Sequence, residues 1–83
     1  MSKISSKNKQ KILLETFKKV FPKKRNLKKI DNLEINSFME WDSIGNLNLL
    51  LEVEKKFGFK FSMEEMSEIK SIKQINSKIK NIK

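Results

Sequence analysis

The chain has 83 residues, room for one small domain with a modest core and not for two. It contains no cysteine and no histidine. That excludes a disulfide framework and thiolate chemistry from the chain itself, and it removes the commonest general base and zinc ligand. The net charge of +9 is unevenly placed: residues 1–30 carry 11 Lys/Arg against one acid, residues 31–69 carry 3 Lys against 9 acids, and residues 70–83 carry 5 Lys and no acid.

Basic ends around an acidic middle do not describe a uniformly basic nucleic-acid surface. Two glycines, one proline and no tyrosine leave few turn and strand formers, so an all-α fold is expected. The opening MSKISSKNKQ is polar, without the apolar segment of a signal peptide. No apolar run is long enough to span a bilayer. The expectation is a single cytoplasmic domain over 1–83, monomeric and without membrane insertion.

Residues 1–6 read as a flexible tail. Ile12, Leu13, Phe17, Val20 and Phe21 then recur at helical spacing, which predicts a first helix over about 7–21, stopped by Pro22. Residues 22–42 form a long connection, with a helical turn possible where Leu27, Ile30 and Leu33 sit three apart. Phe38, Met39 and Trp41 are too apolar for a solvated loop, so several of them are expected on the core. A second helix is predicted from Asp42-Ser43-Ile44 to Phe57, capped by Asp42 or Ser43 and ended by Gly58. Ser62 with Glu65 signals a short third helix, and Ser71 with Gln74 a last one. Ile72, Ile75, Ile79 and Ile82 would give that last helix its apolar face.

The second helix is apolar on two sides. At about 100° per residue, Leu49, Val53, Phe57 and Leu50 form one arc, an ordinary core face. Leu47, Leu51 and Ile44 form a second arc, and Lys55, Asn48, Glu52 and Lys56 complete the circle. Four short helices can hardly bury one helix all round. The 22–42 connection covers the second arc, part of the arc meets a partner, or each holds in part. Ser43 lies where this helix starts, and helix N-termini favour phosphate through unpaired amides and the dipole. On local grounds alone a serine there reads as an ordinary cap, and the tripeptide Asp42-Ser43-Ile44 by itself does not point to phosphate attachment.

The wider stretch does. WDSIGNLNLLLEVEKKFGFKFSMEEMSEIKSIKQI resembles the attachment half of acyl carrier proteins: Asp42-Ser43-Ile44, then a Leu/Val/Glu stretch to Phe57, then Phe59 and Phe61, Glu64-Glu65 and Ser71. The resemblance covers residues 38–80; the first helix agrees in length and periodicity alone. It implies a small four-helix bundle with three main helices and a short third one. It implies a 4'-phosphopantetheine arm on Ser43, placed there by a phosphopantetheinyl transferase from coenzyme A, with Asp42 and Ile44 in the attachment motif. Acyl or aminoacyl groups would be carried as thioesters, loaded by a ligase and passed to acyl-transferring enzymes. The chain itself would catalyse nothing. Ile44, Leu47, Asn48, Leu51, Glu52 and Lys55 would face partners. Leu50, Val53, Phe57, Phe61 and Ile72 would line an interior able to accept an acyl chain.

The chain also departs from that family. Its second helix is usually strongly acidic, whereas here Asn48 stands for an expected acid and Lys55-Lys56 fall where acids are common. Together with Trp41 before the motif, this favours a specialised carrier with dedicated partners. Two alternatives remain: a D-alanyl or peptidyl carrier, and a small basic helical nucleic-acid-binding protein. Against the second stand a single Arg for base readout and an aromatic cluster in the acidic middle.

Overall fold

The computed structural model describes residues 6–80. Its helices are α1 (Ser6–Val20), α2 (Ser43–Phe57), α3 (Met63–Glu68) and α4 (Ile72–Lys80), with a 3-10 turn at Pro22–Lys24. No strand forms among the described residues; a lone antiparallel bridge pairs Glu34 with Ser71. The all-α expectation therefore holds, and no helix among these residues is long and apolar enough to cross a membrane. Most of the expected tail, residues 1–5, lies outside the described residues, as does Ile82. Ser6 already belongs to α1, so that helix begins and ends one residue earlier than its periodicity suggests. The far end has a clear cause. A residue before proline is pushed out of the helical region, and Phe21 sits at φ −121°, ψ 75°.

One continuous core joins the helices. Leu13 and Phe17 of α1, Leu49 and Val53 of α2, and Ile72 and Ile75 of α4 are essentially solvent-free. Each such side chain gains roughly 1.5–3 kcal/mol by burial. Thr16 is buried among them without penalty, because its hydroxyl donates to the Ile12 carbonyl at 2.7 Å.

The connection from 22 to 42 is packed rather than loose. Ile30 is buried and Leu27, Leu33, Ile35 and Phe38 lie half-buried against the core. Trp41 is completely buried, with ring centroids 5.7 Å from both Phe17 and Phe21 and 6.0 Å from Phe38. Met39 is the exception and stands 89% exposed. The backbone closes on itself: the Asn36 amide, at φ 69°, donates to the Trp41 carbonyl at 2.7 Å, and the Trp41 amide to the Phe38 carbonyl at 3.0 Å. Ile35 N–H to Lys70 C=O (2.7 Å) and Ile72 N–H to Leu33 C=O (3.0 Å) tie the connection to the start of α4. The radius of gyration, 12.0 Å, matches the roughly 12 Å of a compact chain of this length.

Local chemistry ends each helix near where the sequence signals it. Gly58 adopts φ 71°, a conformation open to glycine, and its amide returns to the Glu54 carbonyl at 2.9 Å. At α3 the capping box is complete, with the Glu65 amide donating to Ser62 Oγ and the Ser62 amide to the Glu65 carboxylate. At α4 the box is altered. Gln74 N–H donates to Ser71 Oγ, but the Gln74 carbonyl oxygen accepts from the Lys70 amide at 2.7 Å and from the Ser71 hydroxyl. Ser71 sits in the bridge to Glu34, which places its flanking residues in a ladder rather than in a free cap.

Candidate functional site

The start of α2 assigns its polar residues to separate tasks. Asp42 is the N-cap, extended at φ −94°, ψ −166°, and its Oδ1 accepts from the Gly45 amide at 2.8 Å. Its own carbonyl accepts from the Asn46 amide. Ser43 is thus the first helical residue, not the cap. It is exposed, and among the described residues its hydroxyl has no hydrogen-bond partner. The Ser43 and Ile44 amides have no partner inside the helix by construction, whereas the Gly45 amide is taken by the Asp42 carboxylate.

Two residues beneath Ser43 fix the site, and neither is among the residues that the motif singles out. Gly45 is buried against the preceding loop: a Cβ there would lie 2.3 Å from the Glu40 carbonyl oxygen and 3.2 Å from the Phe21 ring. Only the absence of a side chain allows that approach. Asn46 is buried at 6% exposure. Its Oδ1 accepts from the Trp41 indole N–H at 2.9 Å, and its Nδ2 donates to the Ile69 carbonyl at 2.8 Å. One amide so joins the loop before Ser43, helix α2 and the α3–α4 link. The signal was present: Asn46 falls on the core arc, about 60° from Leu49, where a polar residue needs buried partners.

The second apolar arc of α2 is left open. Ile44 is 70% exposed, Leu47 46% and Leu51 47%. Of the two outcomes left open by the sequence, the covering loop is not the one adopted. Phe38 and Trp41 pack onto Phe17 and Phe21 instead, on the side facing α1. Met39 adds further exposed apolar surface from the loop ahead of Ser43.

Beside this arc, Lys19, Val20, Asn48, Leu51, Glu52 and Lys55 line a groove of about 460 Å³ between α1 and α2. Four of them, Asn48, Leu51, Glu52 and Lys55, are residues that the resemblance points toward partners. Lys19 and Val20 come from α1 and were not foreseen. Glu52 holds the groove's charges: Oε1 lies 3.1 Å from Lys19 Nζ and Oε2 3.5 Å from Lys55 Nζ. The Lys19 hydrogen bond is the main reason the Glu52 carboxyl is held below its ordinary value, despite some opposing desolvation. Near the loop, Lys23 pairs with Glu40 at 3.5 Å and Lys24 lies 5.0 Å from the Phe38 ring centroid.

Leu50, Val53, Phe57, Phe61 and Ile72 are all buried and belong to one core cluster. Phe61 is fixed through its backbone, whose amide donates to Glu54 Oε2. Leu50, Val53 and Phe57 form the buried face of the helix that carries Ser43, and Phe61 and Ile72 join the same cluster from outside it. Among the described residues, no group of three or more acidic side chains is placed to hold a metal ion. No family model, curated protein or solved structure matches the chain.

Proposed function

We propose that this chain is a carrier protein of the acyl carrier type, bearing acyl or aminoacyl groups as thioesters on a 4'-phosphopantetheine arm attached to Ser43. The observation that carries the reading is the division of labour at α2: Asp42 caps the helix, so Ser43 stands exposed with a free hydroxyl. An ordinary capping serine would have its oxygen engaged by a first-turn amide. The uncovered Ile44–Leu47–Leu51 arc starting beside Ser43 supports the same reading, as a surface for enzymes that must reach the arm.

The residues present suit the group. Ser43 supplies an accessible oxygen, and the α2 N-terminus favours the phosphodiester it would form. Attachment joins Ser43 Oγ to the pantetheine phosphate of coenzyme A, breaks the pyrophosphate bond, releases the nucleotide bisphosphate and gives the hydroxyl proton to the transferase. The arm, when bound, supplies the thiol that a chain without cysteine lacks. The chain's own part is to hold Ser43 outward through Gly45 and Asn46. Leu50, Val53, Phe57, Phe61 and Ile72 form the interior into which an acyl chain would have to open. Partners on this reading are a phosphopantetheinyl transferase, a loading ligase and acyl-transferring enzymes, in a specialised cytoplasmic pathway.

The test is an intact mass after incubation with coenzyme A and a broad-specificity phosphopantetheinyl transferase. A single phosphopantetheine addition that disappears in Ser43→Ala supports the proposal. No addition, or an addition that survives in Ser43→Ala, rejects it.

A further inference from the structure

We propose that the groove between α1 and α2 docks an acidic protein segment, with carboxylates on Lys19 and Lys55 and an apolar side chain on Val20 and Leu51. The inference rests on the carrier reading for the existence of such a partner. The groove's own chemistry defines the partner's charge. One carboxylate, Glu52, serves two ammonium groups, with its two oxygens 3.1 Å from Lys19 and 3.5 Å from Lys55. The pair of lysines is therefore held on the groove and undercompensated by one charge. Each ammonium has three donors, and the Glu52 contact takes one, leaving the others for an incoming acceptor.

Neighbouring charges are balanced and leave the excess at Lys19 and Lys55 uncancelled: Lys23 is paired with Glu40 at 3.5 Å, and a smaller hollow of about 260 Å³ further along sets Lys56 beside Glu15, with Thr16 and Lys19. A basic partner surface would meet Lys19 and Lys55 at a cost, so charge complementarity selects an acidic one. The apolar residues decide between a protein and a nucleic acid. Val20 and Leu51 belong to the groove itself, and Leu51 continues into the exposed Leu47 and Ile44. A phosphate backbone would leave that arc uncovered. A protein helix with an apolar ridge, and carboxylates that reach Lys19 and Lys55 on the sides away from Glu52, satisfies both the arc and the lysines.

The probe is a synthetic amphipathic peptide with a leucine ridge flanked by glutamates, titrated into the ¹⁵N-labelled chain without the arm. A matched peptide with lysines for the glutamates, a short DNA duplex and anionic phospholipid vesicles are titrated in parallel. Expected are shifts of the Lys19, Val20, Asn48, Leu51, Glu52 and Lys55 amides with the acidic peptide, weakened by added salt. The Lys19→Gln/Lys55→Gln double variant, whose undisturbed spectrum elsewhere reports an intact fold, should bind about tenfold more weakly. Lys55→Gln alone should lie between. The proposal is overturned if the acidic peptide fails to bind or shifts other residues. It is equally overturned if the lysine peptide binds as well, or if DNA or vesicles move the same amides at lower concentration. Because the unmodified chain is used, these outcomes are independent of whether Ser43 accepts an arm.

Discussion

Replacing Asp42 and Ser43 by alanine is expected to have different consequences. Asp42→Ala removes the cap bond to the Gly45 amide and is expected to cost about 0.5–2 kcal/mol of stability. Ser43→Ala removes an exposed hydroxyl with no partner among the described residues and is expected to stay within about 0.5 kcal/mol of the parent. Urea unfolding of the two variants checks this; equal losses would mean that Ser43 shares the cap. Asn46 is the costlier position. Asn46→Ala strands the Trp41 indole N–H and the Ile69 carbonyl, and each buried unsatisfied group costs about 1–3 kcal/mol. The midpoint of urea unfolding is expected to fall by more for Asn46→Ala than for Asp42→Ala.

At the scale of the helices, the contact between α1 and α2 is expected to make stability depend on pH. Glu52 has an ordinary value of 4.5 and is held lower in the fold, first by its hydrogen bond from Lys19. Folding thus favours the ionised form. The contribution is complete above about pH 4.5 and is lost as the pH falls through the depressed value. The melting temperature of Glu52→Gln is expected to lie below that of the parent at neutral pH and to converge on it in acid. The effect is small, because exposed ion pairs are screened by water. Curves that stay parallel down to strong acid would remove Glu52 from the contact. Helix positions themselves were legible, since Pro22, Gly58 and the Ser62/Glu65 pair are local signals that act within a few residues. The altered cap at Ser71 was not, because it arises from pairing with Glu34, far away in the chain.

Over the whole molecule, the sequence resolved two apolar faces of α2 but not whether the connection would cover the second. Periodicity reports that a residue is apolar, and not what packs on it. The outcome depended on Trp41 and Phe38 finding Phe17 and Phe21, a choice made by three-dimensional packing. The candidate site was legible at Ser43 and at the residues after it, and blank at Lys19, Gly45 and Asn46. Lys19 and Gly45 matter because of contacts made across the fold. Asn46 alone had left a sequence signal. In space, Lys19 from the basic first third and Lys55 from the acidic middle share one carboxylate, Glu52, across the contact between α1 and α2.

Ser43 is proposed as an attachment point rather than a structural serine. The most direct test is the intact mass of the parent and of Ser43→Ala after reaction with coenzyme A and a broad-specificity phosphopantetheinyl transferase. One phosphopantetheine is expected on the parent and none on Ser43→Ala, with both chains equally folded by circular dichroism. An unmodified parent that is fully folded, or a modified Ser43→Ala, would contradict the proposal.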